Sequence, residues 1–280
     1  MSARGRGGMA PAGARAVALV VALAIAAATG AIARAQDFAT PVDAISPALA
    51  SPCGMIEHGF AAVRTAPAIE LATIRWFGLP ELTTRAAAAA AGWRALRAAA
   101  GVSQTGDPEV GWTGLGAALG VADSSGGAAV RAVARRDRTS RFGFDARGAA
   151  VGLEVGGGAW VAVAPGVALW ASAPQMWTRG EAPPAARALG FGGAARIGAL
   201  TLWLARESVA GPPRGRAEHA AGLGASAGPL AIALSARDQP LRGGVTLAAR
   251  APHCAIAAGV ESHPVLGETV KLAITAGGGR

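Results

Sequence analysis

Four histidines, two cysteines and a scatter of charged residues are the groups in this chain that could do chemistry. The histidines are His58, His219, His253 and His263. A hydrolase would set Ser beside His, with a carboxylate or carboxamide orienting the ring. His219 next to Glu218, with Ser226 or Ser235 close in sequence, can be written that way. No Gly-x-Ser-x-Gly elbow accompanies them, and no two histidines have the i, i+4 spacing of a helical metal site. Cys53 and Cys254 lack Cys-x-x-Cys spacing, so neither a redox pair nor a zinc ribbon is indicated. An oxidising compartment permits a disulfide between them, and two buried thiols is the plainer reading. Gly156-Gly157-Gly158 has no following Lys-Ser/Thr, so it reads as a bend between strands rather than a phosphate loop. No catalytic residue, cofactor or metal is expected.

A different set of polar residues carries more information. Glu154, Glu207, Arg237, Arg250, Glu261 and Lys271 each fall opposite a row of aliphatic residues in an alternating stretch. Successive side chains of a strand point to opposite faces. The last part of the chain shows the pattern four times. Leu230, Ile232 and Leu234 alternate with small residues and Arg237, and Val245, Leu247 and Ala249 with Thr246, Ala248 and Arg250. Ile256, Ala258 and Val260 then alternate with Glu261's face, and Val270, Leu272 and Ile274 with Lys271's. Asp238-Gln239-Pro240, Pro252 and Pro264 mark the turns between. A soluble sandwich has this pattern with the apolar face inward. A membrane barrel has it with the apolar face towards lipid and the charges lining the lumen.

Earlier elements repeat the theme. Residues 59–64 and 68–76 read as short strands split by Pro67. Residues 110–121 and 128–135 flank the turn cluster 123–127, and 159–163 and 167–171 flank Pro165-Gly166. Residues 187–197 and 200–207 form another hairpin, 218–226 a further strand, and 175–186 a proline-containing loop. Residues 83–103 fit either a helix, on alanine propensity with Thr83 or Thr84 as N-cap, or two strands joined near Gly92-Trp93-Arg94. The surrounding repeat favours the hairpin. About fourteen strands result, near the length of tilted membrane strands. With 41 glycines and no tyrosine the chain is poor in bulky residues. That suits a wall one sheet thick better than a soluble core.

The first residues speak to compartment. Arg4, Arg6 and Arg15 precede an apolar run over 16–28, and Ala33-Arg34-Ala35 is a small-x-small cleavage site. This reads as a secretory signal peptide over 1–35. Without its four arginines the net charge of +9 falls to +5, from 22 basic and 17 acidic residues. The basic residues are dispersed, so nucleic-acid binding is not indicated. Residues 36–58, interrupted by Pro41, Pro47 and Pro52, read as an N-terminal plug or arm, 59–275 as the barrel, and 276–280 as a Gly-rich tail.

Three stretches resemble the FadL-type outer-membrane barrels, in particular the PorV/PorQ-like branch. Residues 42–50, with Ser46, Pro47 and Ala48, resemble that group's Asn-Pro-Ala-x-Leu-Ala segment, with Ser where the family has Asn. Residues 262–272, with His263, Leu266, Gly267 and Thr269, resemble its His-x-x-Leu-Gly-x-Thr-His closing hairpin, with Val270 where His is frequent. The layout from Val151 to Trp170, with the Pro-rich loop and the strand from Arg187, is similar too. The resemblance implies an antiparallel barrel with a short N-terminal plug in the outer membrane of a Gram-negative-type bacterium. It implies passage of hydrophobic or small solutes, or a part in protein export. The expected partners are outer-membrane lipid and a hydrophobic ligand or secretion-machinery proteins. The other expectation is a secreted or periplasmic β-sandwich acting as a binding or structural module.

Overall fold

The computed structural model describes residues 51–63, 65–106, 110–139, 150–180, 188–209, 216–238 and 241–277. The expected signal peptide and the motif residues Ser46, Pro47 and Ala48 lie outside them. A short helix, α1 (Pro52–His58), precedes fourteen strands. These are β1 (Ala68–Arg75), β2 (Thr83–Trp93), β3 (Leu96–Gly106), β4 (Val110–Ala122), β5 (Gly126–Thr139), β6 (Val151–Ala164) and β7 (Val167–Gly180). They continue as β8 (Ala188–Ile197), β9 (Leu200–Val209), β10 (Arg216–Ala227), β11 (Leu230–Asp238), β12 (Leu241–Ala251), β13 (Cys254–His263) and β14 (Gly267–Gly277). Each strand pairs antiparallel with its sequence neighbours, and β14 pairs with β1, closing one barrel. The all-β, fourteen-strand reading therefore holds. Among the described residues, no second layer of sheet covers the apolar rows.

The faces sort by the alternation. Leu230, Ile232, Leu234, Leu247, Ile256, Leu272 and Ile274 are exposed on the outer wall, with Leu230 at 60 % of its free surface. Among the inward-facing residues, Ala72, Ala86, Ala88, Ala99, Ala118, Val133 and Ala273 are buried, and they form a cluster with Cys53, Met55, Ile56 and Phe60 of the α1 region. Thus α1 lies inside the barrel, against β1 to β5 and β7. Ser51 caps it by accepting from the Gly54 N–H at 3.1 Å, and Pro52 opens its first turn. It ends at Gly59, whose φ of 70° is the left-handed conformation that Gly adopts without a Cβ clash.

The alanine-rich stretch is a hairpin, β2–β3, with Arg94 at φ 54° in its turn. Helix propensity loses because these residues are paired on both sides, to β1 and β4. Their small inward side chains also leave the space that α1 occupies.

Three expectations need correction. Residues 59–63 form no strand; they run as buried irregular chain between α1 and β1. Gly156-Gly157-Gly158 is no bend: it continues β6 through a register shift between Val155 and Gly157. The proline-containing segment after Ala171 is strand as far as Gly180, because Pro174 sits at that same irregularity, where no ladder N–H is needed.

The connections differ at the two ends. At the end shared by the start of β1 and the finish of β14, every connection is two or three residues. At the opposite end they run from two residues to eleven.

Candidate functional site

The lumen is built in two unlike halves. Against β1–β7, α1 and the chain after it are pinned to the wall by side chains. Glu70 on β1, 1 % exposed, accepts from the Cys53 N–H at 2.8 Å. Arg97 on β3 donates from Nε to the Ala62 carbonyl and from Nη2 to the Val63 carbonyl, each at 2.7 Å. Trp160 Nε1 on β6 donates to the Ala61 carbonyl at 2.8 Å, and Ser172 Oγ on β7 to the His58 carbonyl at 2.8 Å. Phe60 meets the Trp170 ring edge-on, with centroids 5.8 Å apart. Gly158 makes the approach possible: a Cβ there would sit 2.5 Å from the His58 carbonyl oxygen. Irregular chain inside a barrel leaves carbonyls without a ladder, and these donors supply their partners.

The other half carries a network to which six neighbouring strands give one charge each. In order these are Glu207 on β9, Glu218 on β10, Arg237 on β11, Arg242 on β12, Glu261 on β13 and Lys271 on β14. Glu207 stands directly opposite Glu218, and Arg237 opposite Arg242, which alone would repel. Bonds between unlike charges relieve it. Arg237 Nη1 reaches Glu207 at 3.7 Å and Glu218 at 3.0 Å. Arg242 bonds Glu218 and reaches Glu261 at 3.0 Å, and Lys271 Nζ meets Glu261 at 3.6 Å. Three carboxylates face three cations, so the wall is strongly polar yet locally neutral.

Four of the six residues singled out from sequence, Glu207, Arg237, Glu261 and Lys271, thus stand in one network. Glu154 lies apart, buried on β6, where its carboxylate accepts from Gln175 Nε2 at 2.8 Å and meets Arg135 at 3.5 Å. Arg250 lies on the same face of β12 as Arg242 but is exposed near the short-connection end, outside the network. His219 and Glu218 point to opposite faces. The His219 ring faces outward and bonds Asp238 at 2.7 Å, and no serine hydroxyl bonds it among the described residues. Cys53 is buried in α1 and Cys254 opens β13; no disulfide joins them. No cluster of three metal-ligating side chains occurs among the described residues.

The closing-hairpin motif residues form a local latch at the long-connection end. His263 Nδ1 accepts from the Val265 and Leu266 N–H groups at 3.2 and 3.1 Å, and Gly267 takes a φ of 94°. Thr269 Oγ1 accepts from the Phe77 N–H at 3.4 Å, and the Phe77 ring stands edge-on to His263 at 5.8 Å. Through Thr269 and His263 they hold the β1–β2 connection down.

Sequence reasoning missed Glu70, Arg97, Trp160 and Arg242, and weighed Glu218 only as the neighbour of His219. Glu218 and Arg242 lie on the same alternating faces as the residues found, beyond the ends of the aliphatic rows. Arg97, inside an alanine run, and Glu70, amid Ile69 and Leu71, were visible as charges on otherwise small or apolar walls. Their partner, an irregular segment lying across them, leaves no periodic trace.

No family model matches the chain, and no curated protein matches it. Among solved structures it is similar to outer membrane protein Omp33 of Acinetobacter baumannii, at 10 % identity over 76 % of this chain and 98 % of that one, TM-score 0.47. It is also similar to a mutant of Rh. blastica porin, at 9 % identity over 76 % of this chain and 99 % of that one, TM-score 0.41.

Proposed function

We propose that this chain is an outer-membrane β-barrel acting as a passive, non-catalytic transport component for small polar solutes, with α1 as an internal stopper. One observation carries the reading. The barrel is closed, its aliphatic rows face outward around the wall, and the ion-paired carboxylates and cations of β9 to β14 face inward. An apolar belt of that extent in water would be an aggregation surface, whereas lipid is its matched solvent. Unequal connection lengths support an orientation with the short connections towards the periplasm. The basic and apolar stretch over 1–35 supports delivery across the inner membrane.

The charged half of the lumen favours a polar solute over a greasy one, because a desolvated ion-pair wall gains nothing from an apolar cargo. The FadL-like branch, with hydrophobic compounds or protein export as its business, therefore has less support than the barrel itself.

The test is fractionation followed by reconstitution. The protein should need detergent for extraction, migrate faster on gels unheated than heated, and give discrete conductance steps in a planar bilayer. Recovery in the salt-washed soluble fraction would sink the membrane reading. A detergent-extracted barrel silent both as wild type and after Arg97→Ala would sink the transport reading and leave the barrel.

A further inference from the structure

The outer wall is not uniformly apolar. Towards the long-connection end, Thr73, Arg85, Gln104, Thr113 and Arg136 lie in one row, paired strand to strand from β1 to β5. Their parity places them on the outward face, with Leu71, Val102 and Leu115 in the next row towards the barrel middle. The two rows line one groove of about 1020 Å³ on the outside of the barrel, and no carboxylate lines it. Arg85 and Arg136 are exposed, and neither guanidinium makes a hydrogen bond or ion pair with another described residue. Arg75, Arg179 and Arg206 also face outward in the halves of β1, β7 and β9 nearer that end. At the opposite end the same wall finishes in Trp93 and Leu96.

Two guanidiniums without a partner among the described residues, on a lipid-facing wall, are unfavourable unless something anionic meets them, because hydrocarbon supplies no counter-ion. Arg85 and Arg136 stand three strand spacings apart, about 14 Å along the wall. Gln104 and Thr113 fill the interval with neutral hydrogen-bonding groups. The aliphatic row below matches an acyl chain.

We propose that this groove seats a phosphorylated lipid of the leaflet at the long-connection end. Arg85 and Arg136 grip headgroup phosphates, Gln104 and Thr113 bond the polar backbone between them, and an acyl chain lies along Leu71, Val102 and Leu115. Arg–phosphate pairing is charge-assisted and can be bidentate, so the two arginines carry the recognition. The inference rests on the membrane reading above.

The test uses the full-length chain in a neutral detergent, titrated with mixed micelles of diphosphoryl lipid A or of phosphatidylcholine, with bound lipid read by native mass spectrometry. The wild type should retain the phosphorylated lipid and not phosphatidylcholine. The Arg85→Ala/Arg136→Ala double variant should bind it at least tenfold more weakly, the double lysine variant should lie between, and Arg94→Ala at the far end should bind as wild type. Unheated gel migration checks that each variant is a folded barrel. Wild-type binding by the double alanine variant, equal weakening by Arg94→Ala, or full displacement by inorganic phosphate would each overturn the proposal. A chain that stays soluble without detergent would overturn the membrane reading as well, so the two failures are distinct.

Discussion

Arg97→Ala should release the stopper without unfolding the barrel. Arg97 is 3 % exposed, and its guanidinium donates to five carbonyls. Three belong to Arg94, Leu96 and Ala122 of its own hairpin or the next. The other two, Ala62 and Val63, belong to the segment that follows α1. A hydrogen bond to a charged group contributes about 1.5–3 kcal/mol. Water can re-solvate the two carbonyls once the segment lifts, so the lower figure applies to each, about 3 kcal/mol together. At about 1.4 kcal/mol per decade, the displaced state becomes about a hundredfold more populated. The remaining anchors, from Glu70, Trp160 and Ser172, stay in place. Cys53 supplies the readout, since it is fully buried on α1 and forms no disulfide. In a Cys254→Ser background, maleimide should modify Cys53 about a hundredfold faster in Arg97→Ala when opening and closing are fast relative to labelling. Arg97→Lys keeps the charge but not the two-pronged geometry and should fall between. A labelling rate within about threefold of the parent, in a barrel that still migrates as folded, would refute the idea that Arg97 holds the stopper.

Three further outcomes are expected. Gly158→Leu should speed Cys53 labelling as well, because its first side-chain carbon already collides with the His58 carbonyl and the Phe60 ring, both on the segment that would have to lift. Arg242→Ala should lower the urea midpoint of the barrel in micelles by an amount equal to about 1.5–3 kcal/mol, since it removes the cation shared by Glu218 and Glu261 and leaves each with one partner, Arg237 and Lys271. Arg250→Ala, on the same face but exposed, should stay within about 0.5 kcal/mol, which makes it the internal control. Leu234→Arg should reduce folding into bilayers by about 2–4 kcal/mol if that residue lies near the midplane, and a negligible change would argue against lipid contact there.

The strands could be read from the sequence because a barrel wall obeys one rule along its whole length. Leu230, Ile232 and Leu234 report a face directly, since each meets the same medium. Residues 83–103 were ambiguous for a physical reason. Alanine favours a helix when alone, and only cross-strand partners on both sides decide for the hairpin. The site was partly legible: Glu207, Arg237, Glu261 and Lys271 follow from parity, but their bonding does not. That bonding depends on register, which sets Glu207 against Glu218 and lets Arg237 reach both. Gly156-Gly157-Gly158 has the composition of a turn because local composition cannot distinguish a chain that bends from one that another chain lies against.

The pairing of β1 with β14 joins Arg75 to Val270 and Ala68 to Gly277 across eight residue pairs. Every other strand meets a partner one hairpin away, so those contacts can zip as they emerge. This seam cannot form until the final hairpin exists, and until then both edges present bare ladder groups to any passing chain. The rate of maturation should therefore be governed by one late event, edge finding edge. α1, already lying across the first strands, is placed to act as a mould around which the sheet curls until its margins meet.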